Sequence, residues 1–325
     1  MNFELARIAA YSARDVPAPA PQTIDATTRY CAVYGHPVKH SASPAFQNAG
    51  INGLGLNWRY LACDVHPEHL RAAIEGARRM KFIGLNLTVP HKLLAVKMVD
   101  VLDASARRWG AVNTIRFEAR DARGAWQPLR KFRDGEIHEG IRAVGFNTDA
   151  DAIVRSLRED LGVKLRGARV LLLGAGGAGR VAALKLAEAG VGTLHLVNRT
   201  QSRAEAVRRE IKRRAPKVNA VVGYPDDRDV VDLVLNATSL GLKAGDGVPL
   251  DLARFPLRNA AAVYDMIYRP AETPLLKLAR KAGCRTANGI GMLLWQGVAA
   301  LEIWSGKKAP VAAMRAALGR NVYGC

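Results

Sequence analysis

The sequence lacks several things, and each absence removes a class of function. Its four cysteines, Cys31, Cys63, Cys284 and Cys325, are widely scattered, and none falls in a CxxC pair. That spacing offers neither a structural zinc site nor a disulfide framework, so the expectation is reduced thiols, no metal and a cytoplasmic location. No apolar run is long enough to cross a bilayer. Residues 1–11 include Glu4 and Arg7 and lack the clean apolar stretch and small-residue cleavage site of a secretory signal. No internal repeat is visible.

Acidic residues are outnumbered: 48 Lys and Arg face 29 Asp and Glu, a formal net charge of +19. Two readings fit that excess. One is a basic face for nucleic acid; the other is an arginine-rich surface with a positive site for anionic ligands. The basic residues gather in the helix-like run Arg203, Arg208, Arg209, Lys212, Arg213, Arg214, Lys217. They gather again over 116–142, where Glu118, Asp121, Asp134, Glu136 and Glu139 interrupt them. Neither cluster has the interleaved aromatics of a single-strand binder, and no helix-turn-helix pattern is present. A solvated helix face that also attracts a phosphate-rich cofactor and an anionic substrate is the expectation, with neither nucleic acid nor membrane as partner.

What is present suits two α/β domains. The chain has 325 residues, 49% of them hydrophobic and 24% charged, too long for one small core. The first half predicts strands over 30–34, 58–65, 82–89 and 111–117. Helices are predicted over 67–80, over 91–99 and from Ser43-Pro44 to about residue 52, with serine as cap and proline in the first turn. The second half predicts helices over 148–161, 178–189, 203–214, 291–304 and 310–318. Its strands fall at 168–173, 193–197, 232–235 and 261–266. Such alternation implies parallel-rich sheets covered by helices on both faces. The Pro- and Ala-rich run 16–26 reads as a flexible lead-in, and 118–142 as a surface excursion, a long hairpin.

The run GAGGAG follows the strand VLLL and opens a helix. Gly174, Gly176 and Gly179 fit G-x-G-x-x-G: the first permits the tight turn, the second lets backbone approach a pyrophosphate, and the third lets helix and strand pack. The helix N-terminus then offers N–H groups to the phosphates. NAD binders usually carry an acid on the next strand, gripping the ribose. Here the strand LHLV ends in Asn198, Arg199, Thr200 and, slightly later, Arg203. Two guanidiniums and a hydroxyl suit a 2′-phosphate, so the cofactor expected is NADP.

The first domain offers polar groups at strand ends: HSASP (40–44), NLTVPHK (86–92) and AVNT (111–114), followed by NTD (147–149) at the junction. Taken singly, each has an ordinary structural role. Ser41 or Ser43 could cap a helix, Asn113 could hold a turn, Lys92 could be surface charge and Asp149 a helix N-cap. Their combination and order are less ordinary. Together with GAGGAG, NRTQSR, NATSLG, YDMIY and NGIGMLLWQ, they resemble the shikimate/quinate dehydrogenase family from Tyr30 to the C-terminal helices.

The resemblance implies an extension at 1–28, a substrate-binding domain at 29–148 and 290–325, and an NADP-binding Rossmann domain at 149–289, with a cleft between the two domains. It implies that Ser41 and Ser43 hold the substrate carboxylate, and that Thr88, Asn113 and Gln296 contact hydroxyls or carboxylate. Tyr268 would lie near the substrate, and Lys92 and Asp149 would form the catalytic pair. Cofactor contacts would be Gly174, Ala175, Gly176, Gly177, Ala178, Asn198, Arg199, Thr200, Arg203, Met266 and Gly289. The implied reaction is NADP-dependent reduction of 3-dehydroshikimate to shikimate, in the pathway to aromatic amino acids. Quinate or aminoshikimate chemistry in the same family, and a non-catalytic NADP sensor, are the alternatives; a sensor need not keep Lys92 and Asp149. The assembly expected is a monomer or homodimer. Three features depart from the family pattern: Ala42 stands where lysine is common, His91 where an aromatic is frequent, and the excursion is longer than usual by roughly twenty residues.

Overall fold

The computed structural model describes residues 23–133, 136, 140–243 and 245–324. Residues 16–22 of the lead-in and part of the 118–142 excursion lie outside them. The chain divides into two compact units: one ends its first stretch at Thr148 and resumes at Gln296, and the other is Asp149–Trp295.

The first unit alternates β1 (Arg29–Gly35), α1 (Ser43–Gly53), β2 (Trp58–Asp64), α2 (Leu70–Arg79), β3 (Gly84–Leu87), α3 (His91–Leu94), β4 (Val101–Leu102) and α4 (Ala104–Trp109). It continues through β5 (Thr114–Arg120), β6 (Trp126–Pro128) and β7 (Arg142–Phe146). The strands order as β2-β1-β3-β5-β7-β4, with β6 on β5. β1 pairs in parallel with β2 and β3, whereas β5 runs antiparallel to β3, β6 and β7. The excursion is thus hairpin-like, and strand continues into both its ends. Glu118 on β5 is buried and accepts ion pairs from Arg116 and Arg142, which holds those ends together.

The predicted strand at 111–117 begins later, at Thr114. The αL residue Gly110 ends α4, and the following residues serve as a link: Val112 N–H donates to the Lys92 carbonyl and Asn113 N–H to Phe146. The serine cap expected for α1 is also displaced. Ala42 is the N-cap residue, Ser43 lies inside the first turn, and Ser41 Oγ accepts the Ser43 N–H at 3.3 Å.

The second unit runs α5 (Asp149–Leu161), β8 (Arg169–Leu173), α6 (Gly177–Glu188), β9 (Thr193–Val197), α7 (Gln201–Arg214), β10 (Asn219–Val222) and β11 (Leu233–Asn236). It closes with β12 (Ala262–Asp265), α8 (Pro274–Lys281) and β13 (Arg285–Asn288). Its sheet order is β10-β9-β8-β11-β12-β13 and every pairing is parallel, the doubly wound dinucleotide-binding arrangement. Leu171, Val234, Val263, Phe255 and Leu275 form its core.

Two helices end the chain, α9 (Ile290–Ser305) and α10 (Val311–Tyr323). The division between units falls inside α9, at Trp295 and Gln296, rather than ahead of it. Gly291 backs onto Ser156 and Asp160 of α5, so the first turn of α9 packs in the second unit. Gly297 faces Phe46 and Gln47, and Trp304 Nε1 donates to the Ile115 carbonyl at 2.9 Å, so its later turns complete the first unit's core. No helix among the described residues is long and apolar enough to cross a membrane.

Candidate active site

In the second unit the glycine turn separates into positions the protein needs and positions it leaves bare. Gly174 has φ +102°, in the left-handed region that favours glycine, and its N–H donates to the Val197 carbonyl at 2.7 Å. A Cβ on Gly179 would overlap the Gly174 carbonyl, so helix and strand meet there without a side chain. Gly176 and Gly177 differ: a Cβ on either would meet no atom within 4 Å. Nothing among the described residues requires glycine at these two positions, and a backbone left bare at a helix start fits close approach by a pyrophosphate.

Asn198 joins this turn to the next strand tip. Its Oδ1 accepts the Ala175 N–H at 2.9 Å and its Nδ2 donates to the Thr200 carbonyl at 2.8 Å. Arg199, Thr200 and Arg203 are exposed just beyond. Arg180, Arg208 and Arg214 nearby are ion-paired with Glu210 or Glu205. Among the described residues, Arg199 and Arg203 pair with no carboxylate, which leaves their charge for a ligand phosphate.

The ends of β11, β12 and β13 complete this face. The Met266 N–H donates to the Asn236 carbonyl, and a Cβ on Gly289 would overlap the Met266 carbonyl, so Met266 and Gly289 are brought together. Tyr268, half-buried, follows in the same loop. Beneath it, Asn236 Oδ1 accepts from Thr238 N–H and hydroxyl, and its Nδ2 donates to Asp265. Asp265 also accepts from the Ile267 N–H and the Thr273 hydroxyl. Burial pushes its carboxyl above the ordinary range, against the lowering by these donors.

In the first unit a chain of polar side chains crosses the ends of β3, β5 and β7. The Tyr60 hydroxyl donates to Asn86 Oδ1 at 2.7 Å, and Asn86 Nδ2 donates to Thr114 Oγ1 at 3.0 Å. Asn113, 1% exposed, donates through Nδ2 to Thr148 Oγ1 and accepts the Thr148 N–H on Oδ1. Ser43 is buried against the Tyr60 hydroxyl, and burial raises that phenol well above its usual range. Thr88 follows β3, where its N–H donates to the Tyr34 carbonyl and its own carbonyl accepts the His91 N–H. Lys92 comes next on α3, half-buried, with its carbonyl bonded to Val112.

Ser41, Ser43, Thr88, Asn113 and Lys92 therefore gather in one unit, with Gln296 on the returning part of α9. Asp149, 8% exposed, opens α5 in the other unit, which also holds Tyr268, the glycine turn and the β9 tip. The groove of about 530 Å3 along α5 and the far half of α6 lies away from the glycine turn. Within it Lys185 pairs with Asp151 and Arg155 with Glu159.

Three stretches of the chain match known families. Residues 33–115 match the family described as shikimate dehydrogenase substrate binding domain, and 156–241 match shikimate / quinate 5-dehydrogenase. Residues 289–318 match the shikimate 5'-dehydrogenase C-terminal domain. The shikimate dehydrogenase (NADP(+)) of Methanopyrus kandleri is 38% identical over 302 residues, covering 91% of this chain and 97% of its own length. The chain belongs to the shikimate dehydrogenase family.

Two solved shikimate dehydrogenases share its fold. One, crystallised with NADP+, superposes with TM-score 0.78 at 34% identity, covering 94% of this chain and 99% of its own. The Thermus thermophilus enzyme, solved with NADP(H) and shikimate, has TM-score 0.73 at 35% identity, covering 90% and 99%. Within this family member, reading the sequence missed the support beneath the site. Asn86, Thr114 and Thr148 in one unit, and Asn236, Asp265 and Thr273 in the other, were given no role. The available signal was a polar residue closing an otherwise apolar strand, as in LVLN and AVYD.

Proposed function

We infer that this protein catalyses the reversible, NADP-dependent reduction of 3-dehydroshikimate to shikimate, a step towards the aromatic amino acids. The observation that carries the reading is the bare glycine pair Gly176–Gly177 beside Arg199 and Arg203, in a chain whose other unit collects hydroxyls, amides and one lysine at strand ends. Relatives that bear this activity match nearly end to end.

NADPH, when bound on Gly174, Ala175, Gly176, Gly177, Ala178, Asn198, Arg199, Thr200, Arg203, Met266 and Gly289, supplies the hydride. The ammonium of Lys92 gives its proton to the ketone oxygen as alkoxide character develops there; in the reverse direction the neutral amine takes it from the hydroxyl. Asp149 orients that ammonium and balances its charge. Ser41 and Ser43 hold the substrate carboxylate, while Thr88, Asn113, Gln296 and Tyr268 hold the ring hydroxyls and the remaining edge. Substrate and cofactor are small anions, so a positive surface raises their encounter rate. The protein works in the cytoplasm as a monomer or homodimer.

Side-by-side initial rates with shikimate and quinate, each with NADP+ and NAD+, test this reading. Fastest turnover with shikimate and NADP+ is expected. Preference for quinate, or no nicotinamide reduction with either acid, would overturn it.

A further inference from the structure

The corner that carries Lys92 holds a buried group without a role in the account above. His91 is 0% exposed. Its Nε2 lies 2.9 Å from the Val65 carbonyl just beyond β2, and its Nδ1 is buried with no hydrogen-bond partner among the described residues. A carbonyl only accepts, so Nε2 carries the proton and the ring is the neutral Nε2–H tautomer. Two bonds thus bracket Lys92: the His91 ring to Val65 on one side, and the Lys92 carbonyl to Val112 N–H at 2.8 Å on the other. A helix of four residues is too short to hold its own geometry, so α3 takes its orientation from such anchors.

We propose that His91 is a positioning residue for Lys92: its Nε2–H bond to the Val65 carbonyl fixes the short helix from which the lysine works, and the ring has to remain neutral to do so. This rests on the reading of Lys92 as the proton donor. Protonation would put a second N–H at Nδ1, buried, without an acceptor, one residue from an ammonium. The charged and titratable groups facing the ring come from neighbouring segments. His36, after β1, pairs with Asp64 of β2 at 2.6 Å; the His66 ring stands edge-on to His36 at 5.0 Å, with His69 beyond it; Lys39 faces Asp64. Burial chiefly, with His36 and His66 adding to it, holds the His91 ring below 6.5 against the pull of Val65 and Asp64.

The test is steady-state reduction of 3-dehydroshikimate by NADPH from about pH 5 to 8. H91Q keeps an N–H near the Nε2 position and cannot charge; H91F keeps a ring and loses the donor; K92A is run alongside. The wild type is expected to lose kcat on the acid side, at a pH below the ordinary histidine range. H91Q should keep plateau kcat within about threefold and lose that acid limb, while H91F should lose about three- to tenfold in kcat with little change in KM. If H91F does not fold, the H91Q profile decides alone. An H91F enzyme with wild-type kcat and the wild-type acid limb overturns the proposal, as do equal losses in H91Q and H91F, since the donor then does not matter. Near-normal turnover in K92A removes the reading of Lys92 itself; a large loss in K92A with a silent H91F removes only the role of His91.

Discussion

Asn113 grips Thr148 at two points: its Nδ2 donates to Thr148 Oγ1 at 2.9 Å, and its Oδ1 accepts the Thr148 N–H at 2.8 Å. The amide thereby ties the link ahead of β5 to the residue that immediately precedes Asp149. N113A leaves a buried N–H and hydroxyl without these partners, at roughly 1–3 kcal/mol for each buried group left unsatisfied. A loss of about 2–4 kcal/mol in unfolding free energy is expected from denaturant titration, together with a fall in kcat. An unchanged midpoint would show that the grip carries no stability.

The glycine turn allows stability and ligand contact to be separated. G179A drives a Cβ into the Gly174 carbonyl and should lower the melting temperature of the ligand-free protein. G177A meets no atom of the protein, so its melting temperature should remain near wild type while KM for NADP+ rises. Thermal unfolding and cofactor titration on both variants check this. Equal cofactor affinity in G177A and wild type would mean that the bare backbone faces no ligand.

Arg199 sits exposed at the β9 tip without a carboxylate partner among the described residues. R199D replaces an attraction for the 2′-phosphate by a repulsion. NADPH affinity should fall by at least about tenfold, since a charged hydrogen bond is worth about 1.5–3 kcal/mol, while NADH affinity stays nearly unchanged. Fluorescence titration of the two nucleotides distinguishes the outcomes; parallel changes for both would place Arg199 elsewhere than the 2′-phosphate.

Two buried histidines set a direction for stability against pH. Burial, as the largest cause, lowers both His91 and His195 from 6.5. Between the folded and unfolded values the unfolded chain binds more protons, so stability rises with pH there and is lost as pH falls below 6.5. The melting temperature should therefore decline on acidification through that range, and less steeply in H91Q. A flat profile would contradict the burial of these rings as neutral groups.

Much of this was readable in the sequence, for physical reasons that differ from element to element. β8 stood out because a strand buried on both faces is an apolar run, as its VLLL is, and GAGGAG between strand and helix has few other uses. β4, β7, β10 and β13 were missed: they have two to five residues each, and β10 and β13 carry an exposed first residue, so no periodicity marks them. The division inside α9 was unreadable because a helix pattern continues unchanged while the core it packs on changes. The site's polar support escaped for a related reason. Asn86 and Asp265 have the types of exposed residues, and only the folded partners, Tyr60 and Thr114 for one and Asn236 and Thr273 for the other, explain their burial.

The most direct measurement is turnover of K92A beside the wild type, read as nicotinamide absorbance with shikimate and NADP+. The wild type should form NADPH, and K92A should lose about 10²–10⁴ in kcat while KM for shikimate stays close to wild type. Near-normal turnover in K92A would contradict the account at its centre.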